Sequence, residues 1–171
     1  MITVEKIIGN IKNDDALREK YDEMCRKQLC EKIKISRLES QRIRMRKTSD
    51  KGADVALVLP RDTQLRHGDV IVLSEDKIIV VEIEPENVAM VEIKDNLHQN
   101  DIVEIPARVG HTIGNLHRPI KLEGNKIYFP IQADTELEMF GKLFSNISDN
   151  LEIKKVRIVF EPDEEVEAHG H

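Results

Sequence analysis

Apolar and polar residues alternate with a period of two through much of the first half of the chain. Ile33 and Ile35 alternate with Lys32 and Lys34, and Ile43 and Met45 alternate with Arg42, Arg44 and Arg46. Three β-branched runs follow, at 55–59, 69–73 and 77–83, bounded by turn-forming residues at 50–52, 60–62, 67–68 and 74–76. Alternation of this kind places side chains on opposite faces of a pleated strand, and short strands at this spacing predict a small sandwich or barrel. Residues 14–31 depart from it. Leu17, Tyr21, Met24 and Leu29 recur at helical spacing among many charges, which predicts a helix.

The pattern changes near Glu84-Pro85-Glu86-Asn87. Residues 88–93 read as a strand. Residues 97–114 read as a helix with Leu97, Ile102, Ile105, Val109 and Ile113 on its apolar face. Pro106 predicts a kink or a first turn there, and Gly114-Asn115 a C-terminal stop. A hairpin follows, with strands at 120–122 and 126–129 about a turn at Glu123-Gly124-Asn125. A second helix starts at Asp134 or Thr135, with Leu137, Phe140, Leu143 and Phe144 inward, and a last strand covers 156–160. The order βαββαβ is that of a ferredoxin-like split arrangement. The expected fold class is therefore α+β: an N-terminal all-β domain over 1–84, a ferredoxin-like domain over 85–161, and a flexible acidic, histidine-ended tail over 162–171.

Composition narrows the function classes. The chain has 171 residues and a formal net charge of −6. Phosphate binding needs excess positive charge and base stacking needs aromatic residues, which are 4% here, so nucleic acid is not an expected partner. Apolar runs stop after a few residues, far short of the roughly 20 of a membrane helix, and Met1–Lys6 lacks the apolar core of a signal peptide. The expected compartment is the cytoplasm. No His-Glu-x-x-His, Gly-x-Ser-x-Gly, phosphate loop or dinucleotide fingerprint is present, so an enzyme is not expected. Arg42, Arg44 and Arg46 would share one strand face, either simply solvated or docking an acidic protein.

Two residue types could carry chemistry. Cys25 and Cys30 are five apart. On a continuous helix that separation turns them about 140° away from each other, which predicts two unpaired, partly buried thiols. Among the six histidines, His67 and His98 read as surface residues. His111 falls on a last helical turn and His117 just beyond its cap, a spacing unlike a helical i, i+4 chelate. One or two imidazoles leave a divalent transition metal short of its four to six ligands. A two-fold dimer doubles every ligand at its axis. His169-Gly170-His171 could complete such a site from a tail.

The segment His111-Thr112-Ile113-Gly114-Asn115-Leu116-His117-Arg118-Pro119 resembles the UreE family of urease accessory proteins, nickel metallochaperones that carry a His-Leu-Gly-Asn-Arg-His segment. Arg42-Ile43-Arg44 before Thr48 and Gly52, then His67-Gly68-Asp69-Val70-Ile71, is similar to the family's β domain, and Phe160-Glu161-Pro162 with the acidic tail to its C-terminus. The resemblance covers nearly the whole chain except 13–31. Leu116 departs from it, standing where the family usually has Arg, and 128–132 lacks the extra histidines of some members.

The resemblance implies a partner-binding β domain, a metal-binding and dimerising ferredoxin-like domain, and a homodimer. It implies Ni(II) at the dimer interface through His117, with His169 and His171 adding ligands and His111 supporting. It also implies the urease-activating GTPase UreG and the apo-urease activation complex as partners. Imidazole suits zinc and copper too, so Zn(II) or Cu(II) are expected competitors in vitro, and binding should weaken as pH falls through about 6.5. The alternatives are a non-metal module whose β domain docks a client protein, and a metal-dependent hydrolase, for which no general base is evident.

Overall fold

The computed structural model describes residues 1–164, so His169 and His171 lie outside the described residues. The chain divides into two compact units, Met1–Glu84 and Pro85–His171.

The first unit holds two sheets and one helix. Strands β1 (Ile2–Val4), β4 (Arg44–Thr48) and β5 (Asp54–Val58) form a three-stranded sheet in the order β1-β5-β4. Strands β2 (Gly9–Asn10), β3 (Cys30–Ile35), β6 (Asp69–Leu73) and β7 (Ile78–Ile83) form a four-stranded sheet in the order β2-β6-β7-β3. The alternation read from the sequence is realised in β3, where Ile33 and Ile35 are fully buried and Lys34 is exposed. β7 is buried along Ile78–Val81, which explains why its sequence runs apolar instead of alternating.

Helix α1 (Asp15–Arg26) is capped by Asp14, whose side chain accepts from the Leu17 N–H at 3.0 Å. Its apolar face, with Leu17, Tyr21 and Met24, packs on Val70, Ile78 and Val80. The helix is shorter than the 14–31 expected. Its end is a Schellman cap: the Gln28 N–H donates to the Cys25 carbonyl at 3.0 Å and the Leu29 N–H to the Met24 carbonyl at 2.8 Å. Gln28 takes the left-handed conformation, φ 61°, where glycine is the usual residue. Leu29 and Met24 supply the apolar contact such a cap needs, both belonging to the same cluster. The reversal starts β3 immediately, so Cys30 comes back beside Cys25, and the structure joins the two sulfurs with the Cα atoms 4.8 Å apart. This corrects the expectation of two separated thiols, which assumed an unbroken helix.

The family-like segment at 67–71 has a structural cause. Gly68 sits at φ 91°, and a Cβ there would meet the Asn10 side chain at 3.1 Å. The buried Asp69 carboxylate accepts from Asn10 Nδ2 at 2.9 Å and from the Arg66 N–H at 2.7 Å, closing the turn that feeds β6. His67 is half-buried, and its Nδ1 accepts from the Ile83 N–H at 3.1 Å, so it is a turn-bracing residue and not a surface one.

One buried carboxylate in this unit sets a pH response. Glu31, 7% exposed, is paired with Lys77 Nζ at 2.8 Å and accepts from the Ser49 hydroxyl. Burial pushes its carboxyl up, but Lys77 and Ser49 together outweigh that and hold it below the ordinary 4.5. A depressed carboxyl contributes its full stabilisation above the unfolded value and loses it as pH falls through the folded one. Urea titrations should therefore show first-unit stability falling below about pH 4.5, with Glu31→Gln less stable at neutral pH but flatter across that acid range.

The second unit runs β8 (Glu86–Ile93), α2 (Asp101–Asn115), β9 (Lys121–Glu123), β10 (Lys126–Pro130), α3 (Thr135–Leu143) and β11 (Leu151–Ile158). Its sheet has the order β11-β8-β10-β9, with every neighbouring pair antiparallel. β9 and β10 are the hairpin expected, with Gly124 at φ 59° in its turn. The core joins Ala89, Val91, Ile127 and Phe129 of the sheet to Ile105, Val109 and Ile113 of α2 and Phe140 of α3.

Three sequence expectations shift here. Ile102 is exposed, because α2 begins at Asp101 and buries only its later turns. Leu143 is also exposed, since α3 turns inward through Leu137, Phe140 and Phe144. The last strand starts at Leu151 and ends at Ile158, earlier than the 156–160 expected, because its pairing with β8 runs from Leu151↔Ile93 to Ile158↔Glu86. α2 continues through Pro106. The carbonyl that loses a partner there is that of Ile102, in the exposed first turn, where water can replace the missing bond.

Candidate metal centre

α2 positions the histidine pair. Ile105, Val109 and Ile113 bury one face of the helix, and this fixes the directions of the residues between them. His111 is exposed on the last turn but one, and the Asn115 amide nitrogen lies 3.1 Å from its Nε2. In the tautomer with Nδ1 protonated, Nε2 accepts from that amide.

His117 follows the cap residue Leu116 and is itself in the left-handed conformation, φ 52°. Glycine or asparagine is usual there, and an L side chain costs about 1–2 kcal/mol. The cap is again of Schellman type: the His117 N–H donates to the Gly114 carbonyl at 2.9 Å and the Arg118 N–H to the Ile113 carbonyl at 3.5 Å. The helix ends at Asn115, within the expected Gly114-Asn115 stop, but it runs through Gly114 and the left-handed position falls on His117. The exposed imidazole stands at the C-terminal end of a fifteen-residue helix, where the aligned peptide dipoles favour a cation.

The next residue locks this geometry. Arg118 Nη1 donates to the Pro130 carbonyl at 2.8 Å, and Nη2 pairs with the Glu136 carboxylate. Glu136 also accepts from the Gln132 N–H. Arg118 holds the Glu136 carboxyl below its ordinary value; burial opposes this, and the backbone N–H donors reinforce it. The side chains of Arg118 and Glu136 are 19% and 17% exposed, so the pair is largely withdrawn from water. Sequence reading missed this clamp. Arg118 stood in the family-like segment, but nothing in the order of residues tied it to Glu136, 18 positions later on another element.

Among the described residues no group of three or more His, Cys, Asp or Glu side chains is placed to hold one ion. His98 is exposed ahead of α2, with its carbonyl accepting from the Asp101 N–H at 2.8 Å. Of the Arg face, Arg44 and Arg46 are exposed on β4, Arg46 pairs with Asp54 at 2.8 Å, and Arg42 lies ahead of the strand. Among the described residues no helix is long and apolar enough to cross a membrane.

These features define an α+β protein of two units, the second presenting a histidine at a strained, clamped helix end. Residues 4–84, nearly all of the first unit, match the family model of the UreE urease accessory protein N-terminal domain. The chain thus resembles the UreE family through its first unit, a match over just under half of its length. It is similar to the urease accessory protein UreE of Yersinia pestis (strain Pestoides F), with 28% identity over 141 residues, 80% of this chain and 59% of the relative. The urease accessory protein UreE of Yersinia pseudotuberculosis serotype O:1b (strain IP 31758) matches with the same identity and coverage. The chain therefore spans 59% of the length of these curated relatives.

Proposed function

We propose that this chain is a nickel metallochaperone for urease maturation and not an enzyme. It would bind Ni(II) between the ferredoxin-like second domains of a cytoplasmic homodimer. The observation that carries the reading is His117: an exposed imidazole, locked in a left-handed cap at the negative end of α2, with no ligand beside it in its own chain to complete a site among the described residues. A two-fold axis near that cap supplies a second His117 and makes a two-nitrogen anchor. The tail residues His169 and His171 raise the coordination number, and His111 supports the anchor through Asn115. The family match and the relatives named as urease accessory proteins support the delivery role, with UreG and the apo-urease activation complex as recipients. The βαββαβ order and the sheet order β11-β8-β10-β9 support the ferredoxin-like reading of residues 85–161.

A nickel titration by calorimetry tests the anchor. His117→Ala should lose at least tenfold in affinity while the dimer, followed by light scattering, persists; unchanged affinity removes His117 from the site. Zn(II) and Cu(II) should compete for the same site, because imidazole accepts all three ions. A non-metal docking module would instead capture its client equally well with and without a chelator.

A further inference from the structure

We propose that Cys25 and Cys30 form a reversible thiol–disulfide site that exchanges with small thiols and disulfides of the glutathione class. The two Cα atoms lie 4.8 Å apart, inside the span a disulfide requires. What sets that separation is the backbone. The Gln28 and Leu29 N–H groups close the Schellman cap on Cys25 and Met24, at 3.0 and 2.8 Å. Lys51 Nζ donates to the Gln28 carbonyl at 2.6 Å and pins the left-handed residue from outside the turn. On the strand side, Cys30 is paired with Ile78 in the β3–β7 ladder, and the Ile78 N–H donates to the Leu29 carbonyl at 3.0 Å. Met24 and Leu29 anchor the same turn in the apolar cluster.

None of these interactions uses a sulfur, so all of them persist when the bond opens. The two thiols then stay poised for closure without backbone movement. The cysteines are only five apart in sequence, and the chain-entropy stabilisation from a disulfide grows with loop length, so this bond contributes less to the first unit than a long-range one would. Both cysteines are half-buried, which leaves them at the boundary of the unit, within reach of a small thiol.

The exchange balances. One protein thiolate attacks a small disulfide RSSR, forming a mixed disulfide and releasing one RS⁻. The second protein thiolate attacks the protein sulfur of that mixed disulfide and releases the second RS⁻. The protein dithiol is oxidised and one RSSR is reduced to two thiols, the two protons passing to the released thiolates.

The test uses the full chain equilibrated in glutathione buffers of graded ratio, quenched in acid and alkylated, with labels counted by mass spectrometry. Molecules should carry two labels or none, and the unlabelled fraction should follow the ratio of oxidised glutathione to the square of reduced glutathione. Adding dithiothreitol should restore both labels, and the reduced protein should keep its circular dichroism and a cooperative melt. Cys30→Ser should stop at a single glutathione adduct on Cys25. Two labels in every buffer, a persistent adduct in the wild type, or loss of fold on reduction would each overturn the proposal.

Discussion

Phe140→Ala should destabilise the second unit by about 3–5 kcal/mol. Phe140 is fully buried and central to an aromatic row. Its ring meets Phe129 edge-on, with centroids 4.6 Å apart, and stacks on Phe144 at 6.1 Å. Truncation removes the transfer energy of the ring and leaves a cavity between α3 and β10 that neither neighbour can fill. A domain's whole stability is about 5–15 kcal/mol, so a large share of it is at stake. The measurement can be made unit by unit. The protein has no Trp and two Tyr, Tyr21 in the first unit and Tyr128 in the second. A Tyr21→Phe background leaves Tyr128 as the sole reporter, and its urea midpoint should drop sharply in Phe140→Ala. Phe140→Leu, which refills most of the volume, should cost much less.

Arg118→Met should act on both stability and metal. Removing the guanidinium strands the Glu136 carboxylate in a place that is mostly out of water. A fully buried orphan costs about 3–5 kcal/mol and an exposed pair less than about 1, so a cost near 2 kcal/mol is expected for this partly buried pair. The same change unties the chain after His117 from the Pro130 carbonyl. His117 then loses the support that holds it in its left-handed cap, and nickel affinity should fall about tenfold, as it does when groups that orient a ligand are removed. Arg118→Lys separates the two effects. Lysine keeps the charge on Glu136 but cannot span Glu136 and Pro130 together, so stability should be largely restored and affinity only partly. Equal recovery of both would show that the clamp serves the fold alone.

Local patterns were legible in the sequence where one interaction range decided them. The strands β3, β5, β6 and β7, the helix bodies, the hairpin at Gly124 and the βαββαβ order follow from periodicity and turn residues, which act over a few positions. The placement of His111 on α2 and of His117 just past its end was legible for the same reason. The residues that reverse the chain after each helix were not. α1 and α2 both close on left-handed Gln28 and His117, residues that carry no terminator signal, because backbone bonds across the cap stabilise a conformation their side chains do not favour.

The chain order by itself determined that this is a two-part α+β protein with one histidine-bearing helix end. Only the tertiary structure decided that Cys30 returns to Cys25, that His67 braces a turn, and that Arg118 reaches Glu136 and Pro130. Each of those depends on where a chain reversal points a side chain. That direction is set by packing between elements distant in sequence, which periodicity along one element does not record.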